Sequence, residues 1–155
     1  MNIVDEVKKL QENKLLRTNG EIEKFEEAID NILSFENYEH IKYLCTGFDD
    51  NTKDDEVMFS LVHAIESYDN IVESRLSLKE FLYAIPNVYS YAKGWVIIMN
   101  KRILNDDNSL KSYIDVAKNC DNSLKMILIE LMNEIKKDNP ERFSQVVDKF
   151  LLGIK

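Results

Sequence analysis

Glycine and proline are scarce, at 4 and 2 of 155 residues. An all-β chain needs many more at its turns, so their scarcity argues against sandwiches and barrels and for helices. Only two cysteines are present, Cys45 and Cys120. They form no Cys-x-x-Cys pair, so neither a disulfide framework nor a zinc ribbon is expected. Long apolar runs are also missing. The most apolar stretches, Trp95–Met99 and Met126–Met132, fall far short of the roughly 20 residues a bilayer requires. Met1–Leu10 is charged and amphipathic, unlike an export signal, so a cytoplasmic protein with reduced thiols is expected. No glycine-rich phosphate loop, dinucleotide fingerprint or serine elbow occurs. His40 and His63 make no His-x-x-x-His pair, and no metal or cofactor is expected. A Cys45–His63 nucleophilic pair is the one catalytic arrangement left, and nothing else in the chain supports it; the expectation is a protein without enzymatic activity.

Positive charge is short as well. Lys and Arg total 20 against 28 Asp and Glu, a net of −8. The imbalance is uneven. Met1–Glu73 carries 7 basic and 18 acidic residues, and Ser74–Lys155 carries 13 and 10. A strongly acidic half repels phosphate backbones and anionic lipid, so direct nucleic-acid or membrane binding is not expected. The same field attracts a basic protein partner and speeds encounter with it. Simple solubility is the plainer account of an acidic composition.

What is abundant is helical periodicity. It predicts helices over Ile3–Leu16, Glu21–Ser34, Tyr38–Thr46 and Asp55–Tyr68, with Asn37 capping the third. A fifth opens at Ser74–Ser77 and stops before Pro86, which then sits in the first turn of a sixth, Asn87–Leu104. The word Asp107-Asn108-Ser109-Leu110-Lys111 recurs as Asp121-Asn122-Ser123-Leu124-Lys125, and both copies read as helix starts, before Ser109–Lys118 and Ser123–Lys137. Asp138-Asn139-Pro140 breaks the chain before a last helix, Glu141–Leu152. The expectation is a single all-α domain over residues 1–155, built of stacked antiparallel helical hairpins in a HEAT-like manner, with a compact bundle as the alternative.

Between the third and fourth helices, Gly47 ends one helix and Phe48–Asp54 reads as a polar loop. Its acids invite a calcium reading, which fails. Counted from Asp49, the sixth position is Asp54 where glycine is needed, and the twelfth is Ser60 where glutamate is needed. On the fourth helix, Val57, Met58, Leu61, Val62 and Ile65 fall on one arc of about 140°, the core face. Asp55, Glu56, Phe59, His63 and Glu66 fall between about 160° and 260° from Val57. One aromatic ring among carboxylates and an imidazole is the composition of an interface anchor, unless Phe59 packs beneath a neighbouring helix. Trp95 and Arg102 share a face of the sixth helix, read as an aromatic core anchor with a supporting ion pair.

The run Phe48-Asp49-Asp50-Asn51-Thr52-Lys53-Asp54-Asp55-Glu56-Val57-Met58-Phe59-Ser60-Leu61-Val62-His63-Ala64-Ile65-Glu66 resembles the signature of the immunity protein 30 family of bacterial polymorphic toxin systems. Trp95 and Arg102-Ile103-Leu104-Asn105-Asp106 resemble it more loosely, and the likeness spans Ile29–Leu110. The resemblance implies a small cytosolic protein without enzymatic activity that binds and blocks the toxin encoded beside it, so protecting the producing cell. Among the residues matching the signature are Asp49, Asp50, Asp54, Glu56, His63, Glu66, Trp95 and Arg102, some of them there to maintain the fold. With the charge asymmetry, this gives an expected partner-binding surface of Asp49, Asp50, Asp54, Asp55, Glu56, Phe59, His63 and Glu66, facing a basic cognate toxin domain. A helical-repeat adaptor for another basic cytosolic protein is the alternative.

Overall fold

Short polar side chains start the helices by taking their free N–H groups. In a computed structural model describing residues 1–155, Asn2 accepts from the Val4 N–H at 2.8 Å and opens α1, Ile3–Glu12. Thr18 accepts from Glu21 at 3.1 Å and opens α2, Asn19–Ser34. Asn37 caps a 3₁₀ turn, Tyr38–His40, that runs into α3, Ile41–Cys45. Asp54 caps α4, Asp55–Glu66, which tightens into a 3₁₀ turn over Ser67–Asn70. The long α5, Ser74–Leu104, follows. Asp106, Asp121 and Asn139 cap α6 (Asp107–Ala117), α7 (Asn122–Asp138) and α8 (Pro140–Gly153). The fold is all-α, as the composition requires, and no helix is long and apolar enough to cross a membrane.

Successive helices fold back on one another in hairpins, α1 on α2, α5 on α6 and α7 on α8. α5 is the spine, packing also against α3, α7 and α8, while α2 covers α4. One core joins Leu10, Phe25, Ile41, Leu61, Phe81 and Phe150 from six helices. Leu110 and Leu124, the leucines of the repeated word, both enter it. The two copies are nevertheless capped differently. Asp121, inside the second, takes the Leu124 N–H, whereas the first helix is capped by Asp106, one residue before its word begins.

Three features depart from the periodicity. α1 ends at Glu12 rather than Leu16, because the chain turns there and Leu16 adopts φ 52° with its side chain in the core. The carbonyl of Leu15 is taken at 2.8 Å by the Lys53 N–H, from the loop between α3 and α4. Gly47 closes α3 without a left-handed conformation; its missing side chain matters because a Cβ there would stand 2.8 Å from Leu10. Pro86 does not divide a fifth helix from a sixth. Ile85 and Val88 stay buried on either side, and the core stripe carries α5 through an exposed proline that removes only one N–H. The break comes at Ala92, with φ −132° and ψ 25°.

Candidate partner-binding site

The break at Ala92 is held open by the Phe48–Asp54 loop. The Asp50 N–H donates to the Tyr91 carbonyl at 2.9 Å. Its carboxylate accepts the Gly94 N–H at 3.0 Å and the Trp95 N–H at 3.3 Å. Asp50 thus satisfies groups on both sides of the break and acts as an N-cap supplied from a distant loop. Gly94 suits the approach, since a Cβ there would lie 3.0 Å from the Asp50 carboxylate.

The rest of the loop is tied into the molecule at Phe48, Asp49 and Asp54, while Asn51 and Lys53 stay exposed. Phe48 is fully buried and stacks on Trp95, ring centroids 5.9 Å apart and planes 8° from parallel. Asp49 is buried too. It accepts the Asn51 N–H at 2.8 Å and pairs with Lys14 at 3.3 Å, while the Lys14 ammonium lies 4.0 Å from the centre of the Tyr91 ring. Asp54 accepts the Val57 N–H at 3.0 Å, leaving Asp55 and Glu56 in the first turn of α4, where the helix dipole favours them.

Along α4, Met58, Leu61, Val62 and Ile65 face the core as expected. Asp55, Glu56 and His63 are exposed on the opposite side. Phe59, expected among them, is half-buried: its ring meets Trp95 edge-on at 5.2 Å, and His63 lies beside it at 6.5 Å. Glu66, at the far end, is bound by Arg102 through two hydrogen bonds of 2.7 and 2.8 Å, which draws α4 onto α5. Of the eight expected site residues, Asp49, Asp50, Asp54 and Glu66 therefore carry bonds within the fold. Asp55, Glu56 and His63 share an open face, and Phe59 joins that face to the core. Trp95 and Arg102 fulfil the anchor and ion-pair reading.

The model of one protein family, Immunity protein 30, matches residues 12–113, from the end of α1 to Tyr113 in α6. The chain belongs to the immunity protein 30 family. No curated protein and no solved structure matches the chain. Membership implies an immunity protein of toxin systems. The matched segment contains the whole Asp50–Trp95 arrangement and the Glu66–Arg102 pair, and it leaves α7 and α8 outside.

The catalytic arrangement entertained from sequence gains nothing from the fold. Cys45 is buried, and burial above all pushes its thiol pKa up to about 12, the reverse of what a nucleophile needs. His63 is on the solvent side of α4. Sequence reasoning missed the capping of the Ala92 break by Asp50 and a groove of about 500 Å³ beyond Glu66, lined in part by Asp69, Ser77 and Asp106. No local signal marks the groove, because its walls come from segments far apart in the chain.

Proposed function

We propose that this immunity protein 30 family member binds a cognate toxin domain through the acidic outer face of α4 and blocks it, protecting the producing cell in the cytoplasm. One observation carries the reading. Within the matched segment, Asp55 and Glu56 are exposed and enter none of the chain's ion pairs, while the neighbouring acids are engaged internally. Unpaired carboxylates beside a half-buried aromatic ring suit a basic partner surface. Their field raises the association rate, and the ring offers a contact that loses water on docking. Toxin domains that act on nucleic acid carry basic clefts, which such a face complements.

The test is co-expression with the toxin domain encoded beside it, followed by co-purification and a growth-protection assay. Asp55→Lys combined with Glu56→Lys should abolish both co-purification and protection. The thermal midpoint should fall by a few degrees, since each carboxylate contributes about 0.3–1 kcal/mol through the helix dipole and each lysine reverses that sign, so retained folding is checked alongside. Asp50 is unsuited to the same use, because its carboxylate is bound to the kink in α5. Full protection by the folded double variant would place the interface elsewhere. Failure of the wild-type protein to bind the toxin domain would remove the reading.

A further inference from the structure

Where α4 ends, the 3₁₀ turn Ser67–Asn70, the start of α5 and the junction of α5 with α6 enclose the groove of about 500 Å³. Its floor is apolar, formed by Ile65, Leu78, Phe81, Met99 and Ile103. Its rim carries Glu66, Asp69 and Asp106 with Arg102. The Arg102 guanidinium is already held by both oxygens of Glu66. The charge left over is that of two carboxylates. Asp69 Oδ1 accepts from the Ser77 hydroxyl, and Asp106 Oδ2 accepts the Ser109 N–H at 2.9 Å. Both carboxylates are exposed at the rim; the Ser109 hydroxyl and N–H hold the Asp106 carboxyl below its ordinary range, and the second oxygen of Asp69 takes no hydrogen bond from the chain. Burial raises the Asp69 pKa; the Ser77 hydroxyl pulls it back, and the nearby charges of Glu66 and Asp106 raise it again. A cation placed between the carboxylates would relieve that repulsion.

We infer that this groove receives a lysine or arginine side chain of the toxin domain, its aliphatic stem over the apolar floor and its cationic head between Asp69 and Asp106. The inference rests on the toxin-binding reading and extends its surface from the outer face of α4 around the helix's carboxy-terminal end. An apolar floor under a doubly negative rim fits a long cationic side chain better than it fits an apolar helix or an acidic peptide, because only the former satisfies both parts at once. The two carboxylates come from opposite halves of the chain, one acidic and one basic in balance, so the fold alone creates the site.

The test is calorimetric titration of the intact protein with a catalytically inactive toxin domain. Asp69→Asn with Asp106→Asn keeps an accepting oxygen for Ser77 and for Ser109, and should weaken binding about tenfold and flatten its dependence on salt. Ser109→Lys, which presents a competing ammonium from the groove's own wall, should weaken binding comparably. Unchanged affinity in both folded variants, with the wild type binding, would overturn the groove and leave the α4 face standing. Binding of free arginine to the groove, with toxin affinity indifferent to the variants, would make it a small-cation site and equally overturn the inference. No binding by the wild type would end both readings together.

Discussion

Asp50 and Trp95 lie 45 residues apart, and the carboxylate of the first caps the helix segment that carries the second in its first turn. The arrangement shows why an exposed acid in a toxin-immunity signature need not touch the toxin. α5 is two helical segments joined by a kink at an irregular residue, Ala92. Such a break exposes backbone groups that a continuous helix would have paired with one another. Asp50 meets them from outside, and with Phe48 against the Trp95 ring it fastens the loop to the spine of the molecule.

Asp50→Ala should therefore destabilise the fold by about 0.5–2 kcal/mol, the range for loss of an N-cap. Asp50→Asn keeps an acceptor and should recover part of the loss. Gly94→Ala should act on the same contact from the other side, because its Cβ would crowd the carboxylate. Urea unfolding of the three variants checks this. A midpoint for Asp50→Ala equal to that of the wild type would mean that the two N–H groups are satisfied without it. Combined with the toxin assay, the series separates folding from binding: at saturating folded protein, Asp50→Ala should still protect.

What was legible in the sequence was local. Periodicity located the helices, Asn37 was readable as a cap and the repeated word as two helix starts, because a capping side chain acts two or three residues away. The core face of α4 was readable for the same reason. The kink in α5 was not. Pro86 is the loudest helix-breaking signal in the chain, yet buried neighbours on both sides override it. Ala92 breaks the helix without any signal of its own, through a partner in a distant loop. Phe48–Asp54 looked like a solvated loop because its composition is polar; its placement comes from Lys14, Leu15, Tyr91 and Trp95, none of them adjacent. The groove joining Asp69 to Asp106 was illegible for the same reason. Trp95 and Arg102, by contrast, were readable as an aromatic anchor and an ion-pairing cation, because both roles follow from residue chemistry at helical spacing.

The Glu66–Arg102 pair makes a second prediction. Its geometry is bidentate and its two side chains are 33% and 41% exposed, so solvent screens it substantially. A double-mutant cycle with Glu66→Gln and Arg102→Gln should give a coupling of about 0.5–1 kcal/mol that shrinks at high salt. Arg102→Lys should lose much of it, since an ammonium cannot match two carboxylate oxygens in one plane. A coupling near zero at low salt would mean that the pair contributes nothing to holding α4 on α5, whatever its distances.

A fully buried polar contact joins α5 and α6. Tyr113 and Asn100 are both fully buried, and the Tyr113 hydroxyl donates to Asn100 Oδ1 at 2.8 Å. Asn100 Nδ2 donates in turn to the Val96 carbonyl at 2.8 Å, so the carboxamide is held at both ends. Tyr113→Phe would keep the ring against Phe81 and Phe150 while leaving the Asn100 oxygen buried without its donor. The expected cost is about 1–3 kcal/mol, the penalty for an unsatisfied buried acceptor, not the smaller net value of one hydrogen bond. Replacing both, as Tyr113→Phe with Asn100→Leu, removes the orphan and should be less destabilising than the sum of the single changes. Denaturant unfolding of the four proteins measures the difference directly. A Tyr113→Phe protein as stable as the wild type would show that water reaches Asn100 in its place, and that the α5–α6 contact is looser than its packing indicates. Toxin binding through the outer face of α4 should be untouched in every member of the set, because neither residue reaches that face.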